Sequence, residues 1–188
     1  VLKQVVPDIF YDSQLTPSGF IKKYWAVFEK KYPSANNTLR GAVFELLLSA
    51  VFCRSKLFPF YRSAKVGFIP GIEYDFIFYT LEYGPVVLSA KTSLRERWKQ
   101  ADLEAVALKN VHRKSLSYLV TLDKTAVRVR KEKVTEIMGL DQLVMADENK
   151  FDELINNLKK MSVIEAPEVK AIEAGVLVND KNFRDPLH

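Results

Sequence analysis

The stretch IEYDFIFYTLEYGPVVLSAKTSLRERWKQADLEA, residues 72–105, combines two strand patterns, a turn and a helix pattern. Apolar, aromatic and β-branched residues dominate 72–81 and 86–91, which is typical of strands, and Tyr83-Gly84-Pro85 between them is typical of a turn. A long helix is predicted from about 93 to 109. The pattern therefore predicts two neighbouring strands and a helix that follows the second of them.

Two charged residues stand inside these apolar strands. Asp75 lies in the middle of the first strand, and Lys91 ends the second. Because side chains alternate between the two faces of a strand, Asp75 shares a face with Glu73, and Lys91 shares a face with Ser89. Two interpretations are open: a salt bridge between the two strands, or the first acid and the lysine of a metal-dependent phosphodiesterase site.

The rest of the chain predicts further helices and strands around this unit. Helices are predicted at 17–32, 39–55, 129–138 and 149–161, and strands at 59–68, 116–122 and 141–146. This order is typical of an α/β fold with a mixed sheet flanked by helices. We expect one domain over 1–188, with a core at about 38–145, an added N-terminal helix at 17–32 and an added C-terminal helical segment at 148–188.

Composition limits the kinds of site the protein can build. The chain has two histidines, His112 and His188, and a single cysteine, Cys53, which argues against zinc sites of the Cys/His type. Its seven glycines form no phosphate-binding loop, so no nucleotide cofactor is expected. A metal would therefore be held by carboxylates, as magnesium is.

Charge and cysteine usage indicate the partner and the compartment. The net charge of +5 favours an anionic partner, although many basic proteins bind no nucleic acid. A single thiol without a disulfide framework suits a reducing cytoplasm. No apolar run has the length of a membrane span, and the first residues lack a signal-peptide pattern. We expect a cytoplasmic protein with no membrane partner.

Glu45 lies within the predicted helix at 39–55, which is apolar on most of its surface. A buried carboxylate needs a partner. Glu45 therefore either pairs with an arginine at a polar edge of this helix or lies beside a metal site.

Taken together, residues 40–105 resemble the core of the PD-(D/E)XK nucleases, and more narrowly the type II restriction endonucleases. The resemblance rests on Pro70-Gly71 before Asp75, on Ser89-Ala90-Lys91, on Arg95-Glu96-Arg97-Trp98, and on Glu104 thirteen positions after Lys91. In the branch that resembles EcoRII and reads sites containing CC and GG, the acid expected at the Ser89 position comes instead from the following helix. The resemblance implies a restriction-endonuclease-like fold.

The same resemblance implies a role for each residue of a cutting site. Asp75 and Glu104 hold a magnesium ion, for which manganese can substitute, and the backbone carbonyl of Ala90 is a further ligand. Lys91 orients or activates the attacking water. Glu45 matches an outer glutamate on the first core helix of the family.

The residues after Lys91 match the part of the family that reads DNA. Thr92 and Ser93 lead into the cluster, and Arg95 and Glu96 match positions that contact base edges. An arginine can donate twice to guanine and a glutamate can accept from cytosine. Arg97 is expected to contact a phosphate or a carboxylate.

The non-functional interpretation of the Arg95-Glu96-Arg97 cluster is a solvated first turn of a helix, where arginines are unfavourable beside the positive end of the helix dipole. A phosphate or base partner removes that penalty. If the cluster does not read bases, Arg62 and Lys65 in the first strand are the other DNA-binding candidates.

The predicted function is a magnesium-dependent endonuclease that cuts a short site, containing G and C, in double-stranded DNA. A palindromic site would call for a homodimer. The alternatives are a non-specific or nicking nuclease of repair or recombination, and a catalytically inactive DNA-binding module.

The place of Glu104 depends on the course of its helix. Residues 93–104 span roughly 16 Å of helix, so Glu104 approaches Lys91 only if the helix packs back across the sheet. If the helix runs outward, Glu73 or Glu45 becomes the second acid.

Overall fold

The structure is a computed structural model that describes residues 14–94, 97–131, 138–167 and 172–179. In these ranges the helices are α1 (Pro17–Lys31), α2 (Asn37–Arg54), α3 (Arg97–Val111), α4 (Lys124–Lys131) and α5 (Asn149–Lys159). The strands are β1 (Phe60–Val66), β2 (Tyr74–Thr80), β3 (Gly84–Lys91), β4 (Leu116–Thr121), β5 (Gln142–Met145), β6 (Val163–Ile164) and β7 (Ile172–Val178).

Within the described ranges the strands form one sheet in the order β5-β4-β3-β2-β1-β7, and the short β6 pairs with β2. Strands β1, β2 and β3 are antiparallel neighbours, whereas β3, β4 and β5 run parallel. The predicted α/β fold, a mixed sheet flanked by helices, is confirmed.

The parallel pairing of β3 with β4 determines the course of α3. A connection between adjacent parallel strands has to return across the sheet, and α3 makes that crossing. Its Leu108 is buried in one cluster with Ile77 and Val87 of the sheet. Helix α3 therefore packs back over the strands that carry Asp75 and Lys91, as the position of Glu104 requires.

The opposite face of the sheet carries the largest apolar cluster. Phe52 of α2 lies edge-on to three sheet phenylalanines, with ring centroids 5.5, 5.1 and 5.2 Å away: Phe60, Phe76 and Phe78. Helices α1 and α5 pack against the same cluster through Phe20, Phe28, Phe151 and Leu154. Because α2 lies between the sheet and α1, most of its surface is apolar, and Glu45 is an exception that needs a reason.

Side-chain caps explain where the first helices begin. The hydroxyl of Thr16 accepts a hydrogen bond of 3.1 Å from the backbone N–H of Gly19, and Pro17 occupies the first turn of α1. The side chain of Asn36 accepts one of 2.9 Å from Leu39 N–H at the start of α2. Both helices therefore start close to the residues that the sequence predicts.

Three predicted boundaries are wrong. Helix α3 does not begin at 93, because Ser93 and Leu94 are not helical, and its described part starts at Arg97, whose N–H donates to the Leu94 carbonyl. Residues 95 and 96 lie outside the described residues. Helix α4 starts at Lys124 instead of 129, because the carboxylate of Asp123 caps it with a 3.0 Å bond from Ala126 N–H. Residues 132–137 of the predicted helix lie outside the described residues.

The third correction concerns the added C-terminal helical segment that the sequence predicts at 148–188. Residues Ile172–Val178 form strand β7, which pairs with the outer edge of β1. Gly175 passes so close to β1 that an added Cβ would lie 2.5 Å from Ala64 Cβ. A partner strand distant in sequence overrides the local pattern here. That residues 1–188 form a single domain stays a prediction.

The buried carboxylate of Asp102 attaches α3 to the turn before β5. It is 3% exposed and accepts hydrogen bonds from the backbone N–H groups of Met138, Gly139 and Leu140 at 3.0, 2.8 and 3.0 Å. The contact is so close that a Cβ on Gly139 would lie 2.5 Å from the backbone nitrogen of Val106. Asp102 thus holds the helix that carries Glu104.

We expect Asp102→Ala to lower the free energy of unfolding by about 3 kcal/mol, because it leaves buried N–H groups without an acceptor. Urea denaturation measures the change. Leu103→Ala is the control, since Leu103 is the neighbouring residue on α3 and is 60% exposed. Equal stability of the two variants would contradict this role of Asp102.

Candidate active site

Asp75 and Lys91 form an ion pair across two neighbouring strands. The carboxylate Oδ2 of Asp75 lies 2.9 Å from Lys91 Nζ and accepts a second hydrogen bond, of 2.7 Å, from the backbone N–H of Ala90. The pairing of Phe76 with Leu88 in the antiparallel register places Asp75 opposite Ser89. The two side chains are 20% and 25% exposed, so the pair is accessible to a bound molecule.

Glu45 of α2 pairs with Arg62 of β1 in the neighbourhood of Asp75 and Lys91. Its carboxylate lies 3.9 Å from a terminal guanidinium nitrogen of Arg62. Burial raises the pKa of Glu45, and the negative charge of Asp75 raises it further, while Arg62 and Lys91 lower it. Glu45 is thus close enough to Asp75 and Lys91 to sense both charges.

Glu104 of α3 senses the same two charges. Burial raises the pKa of Glu104 and the charge of Asp75 adds to the rise, whereas a hydrogen bond from Gln100 and the charge of Lys91 lower it. The Gln100 amide donates to the Glu104 carboxylate at 2.8 Å. Helix α3 therefore brings Glu104 into the electrostatic neighbourhood of the pair.

The buried ring of Tyr74 links α3 to the strand that carries Asp75. Its hydroxyl donates a 3.1 Å hydrogen bond to the backbone carbonyl of Glu104. Burial, together with the nearby Glu104 charge, raises the pKa of the Tyr74 hydroxyl, which keeps it neutral and able to donate. Tyr74 is adjacent to Asp75 in sequence, so one strand positions both carboxylates.

The sequence analysis did not identify Tyr74 or Gln100 as part of the site. The four-residue spacing of Gln100 and Glu104 on a helix could have indicated their contact. The contact of Tyr74 joins residues 30 positions apart, and no local pattern indicates it.

The carboxylates are better suited to magnesium, which also binds waters and substrate phosphates, than to a metal ion whose ligands all come from the protein. In the described ranges, no three His, Cys, Asp or Glu side chains are grouped to hold a metal. Magnesium keeps several waters and takes one or two carboxylates plus substrate phosphates. The charge of Asp75 contributes to the raised pKa of Glu104, and a divalent cation near both carboxylates would oppose that effect. The donor chemistry is therefore suited to magnesium.

The predicted DNA-reading residues are described only in part. Arg95 and Glu96 lie outside the described residues. Arg97 is exposed at the first turn of α3, and Thr92 and Ser93 are half-buried directly after Lys91.

The two alternative DNA-binding residues on β1 have different surroundings. Arg62 is half-buried against Glu45, and Lys65 is exposed. The backbone at Ser63 has a φ of 47°, and the register of β1 with β7 shifts between Arg62 and Lys65. This irregularity separates Arg62, beside the acidic cluster, from Lys65 at the surface.

The part of the chain that the structure describes contains no helix long and apolar enough to cross a membrane.

No protein-family model matches the sequence, and no curated protein matches it. One matching solved structure is described as "Restriction endonuclease PspGI-substrate DNA complex". It is 20% identical to this chain, with a TM-score of 0.49, over 78% of this chain and 57% of the other. The chain therefore spans a little over half the length of that solved chain.

Proposed function

We propose that this protein is a magnesium-dependent endonuclease that cuts double-stranded DNA at a short specific site, as type II restriction enzymes do. The observation that carries the proposal is the accessible Asp75–Lys91 pair, 2.9 Å across, with the carboxylates of Glu45 and Glu104 close enough to sense it. Phosphodiester hydrolysis with a metal needs acidic oxygens for the ion and a cation or base for the water. This cluster contains both.

Each residue has a definite task in the proposed reaction. Asp75, Glu104 and the carbonyl of Ala90 would hold the magnesium ion, for which manganese can substitute. When bound, the ion polarises the phosphate and stabilises the leaving oxygen. Lys91 orients the attacking water, and its contact with Asp75 fixes the position of its ammonium group.

Glu104 is the better candidate for the second acid because of what surrounds each glutamate. Glu45 lies beside the guanidinium of Arg62, which already balances its charge. The hydrogen-bond partner of Glu104 is a neutral group, the amide of Gln100, which leaves the carboxylate charge to be balanced by a bound cation. Glu45 would then not bind the metal, and its charge would instead influence the electrostatic environment of Asp75.

The start of α3 is suited to an anion such as DNA phosphate. Among the described residues, which begin again at 97, its first turn contains Arg97 and Lys99 and no acidic residue, next to the positive end of the helix dipole. Two cations at this end repel the dipole unless an anion binds there. Thr92 and Ser93 link this turn to Lys91, so the reading and cutting groups lie on one connection.

We expect Arg95→Ala and Glu96→Ala each to lose about 1–3 kcal/mol of discrimination at one base pair, because each side chain contacts a base edge. Arg97→Ala should weaken binding to all sequences alike, because a phosphate contact is blind to sequence. Gel shifts in calcium buffer with single-base-substituted duplexes measure both effects. If all three changes weaken DNA binding uniformly, other residues read the bases, and Arg62 and Lys65 are the next candidates.

A palindromic site would require two copies of this chain related by a two-fold axis, because one compact site cuts one strand. We therefore propose that two copies of the chain form a homodimer on DNA. We also propose that the protein acts in the cytoplasm of a prokaryote. Sedimentation with and without a cognate duplex tests the dimer.

The decisive experiment is incubation of the protein with unmodified phage DNA and magnesium. Discrete bands that disappear on chelation of the metal are expected. A smear would instead favour a non-specific nuclease, and single-strand nicks would favour a nicking enzyme. Binding without any cleavage in magnesium or manganese would favour an inactive DNA-binding module.

A further inference from the structure

Phe68 is the most exposed of the large apolar side chains in the described ranges, at 80%. It lies in the turn between β1 and β2 and has a φ of 66°, in the left-handed region that L residues avoid. Gly71, three residues later in the same turn, also has a positive φ, of 78°, which glycine adopts at little cost. At Phe68 the same kind of conformation falls on a residue with a large side chain, although Gly67 stands directly before it.

Two unfavourable features thus coincide at one residue. A left-handed conformation of a residue with a Cβ costs about 1–2 kcal/mol. A fully exposed aromatic ring also forgoes the stabilisation that burial would bring. Residues that keep such strain occur at functional sites more often than elsewhere.

The position of Phe68 relates it to the Asp75–Lys91 pair. The turn at 67–73 leads into β2, and Asp75 is the second residue of that strand. Strand β3 runs antiparallel to β2 and ends at Lys91, so the turn and the ion pair lie at the same end of the sheet. Leu81, 69% exposed, follows β2 at its other end.

The turn is close enough to touch DNA that is bound at the pair. Phe68 lies seven positions before Asp75, at most about 25 Å of extended chain, and the turn shortens this distance. The major groove of a duplex is about 12 Å wide. A duplex with one phosphate at Asp75 therefore has base and sugar surfaces within reach of Phe68.

We propose that Phe68 is a DNA-contacting residue whose ring packs on the bases or sugars next to the phosphate that is cut. Every base offers an apolar face to an aromatic ring, so this contact adds affinity without reading sequence. Apolar side chains also wedge between base steps in duplex DNA. The inference rests on the proposed function, since it places the cut phosphate at Asp75.

The test uses Phe68→Gly and Phe68→Asn, two residues that accept a positive φ. We expect both variants to have a Tm equal to or above that of the wild type, and to bind duplex DNA about ten-fold more weakly in calcium buffer. The salt dependence of binding should not change, because no charge is removed. Phe68→Trp should keep the wild-type affinity, and Leu81→Ala is the control at the far end of β2.

Failure of the Phe68 proposal and failure of the proposed nuclease function are distinguishable. If the wild type binds and cuts DNA and both variants bind equally well, the role of Phe68 is wrong and the proposed function stands. If the wild type neither binds nor cuts DNA, both proposals are wrong. Weaker binding that comes with a lower Tm or an altered salt slope would also overturn the proposal, since it would mean a disturbed fold.

Discussion

Lys91→Ala is expected to reduce DNA cleavage by about a thousand-fold or more, the upper range for the loss of a group that acts on the attacking water. Sequence-specific binding in calcium buffer should remain, because Lys91 acts on water and not on bases. Single-turnover cleavage of a plasmid and gel shifts with the same site measure the two effects separately.

A second lysine of the chain provides a matched control. Lys109 pairs with Asp141 at 2.8 Å and is 29% exposed, against 2.9 Å and 25% for Lys91 with Asp75. Lys109→Ala removes an ion pair of the same kind and should leave cleavage unchanged. Loss of selective binding in Lys91→Ala would contradict the separation of cutting from reading.

Asp75→Asn is expected to have the other large effect, a loss of cleavage on the order of a thousand-fold. The change removes the charge that would hold the metal and that positions Lys91, while a side chain of the same size remains. Magnesium or manganese binding, measured by calorimetry without DNA, should weaken along with activity. Asp141→Asn is the control, since Asp141 is the acidic partner of Lys109 in the matched pair. Retained metal binding in Asp75→Asn would contradict its role as a ligand.

Asp75→Asn and Lys91→Ala also test the geometry of the site without any activity assay. The charge of Asp75 raises the pKa of both Glu45 and Glu104, and the charge of Lys91 lowers both. Asp75→Asn should therefore lower both pKa values and Lys91→Ala should raise them, in carboxyl NMR titrations without metal. If one glutamate does not respond, it lies apart from the pair and is not the second acid.

Local patterns were sufficient to predict most of the sheet. The strands β1 to β5 and the amphipathic helix α5 lie where apolar residues repeat with the strand or helix period. The pairing of Asp75 with Lys91 was predictable for the same reason, because alternation in two adjacent strands places both on one face.

The parts that local patterns did not predict depend on contacts between distant residues. Strand β7 forms because β1 offers an open edge, although nothing near 172–178 in sequence specifies that partner. The carboxylate of Asp123, which caps α4 locally, also accepts a hydrogen bond from Leu94 N–H, 29 positions away. No repeating pattern in the sequence indicates which distant residues make such contacts.

The amino-acid sequence by itself determined which residues carry charge within the apolar strands, because a charge in a strand interior is visible against the period of the side chains around it. The tertiary structure alone decided which carboxylates accompany that pair. The parallel pairing of β3 with β4 turns α3 back over the sheet, and Tyr74 attaches it at Glu104. Glu104 joins the site because of the course of a whole helix, and that course is set by strand order, which no single segment of the sequence contains.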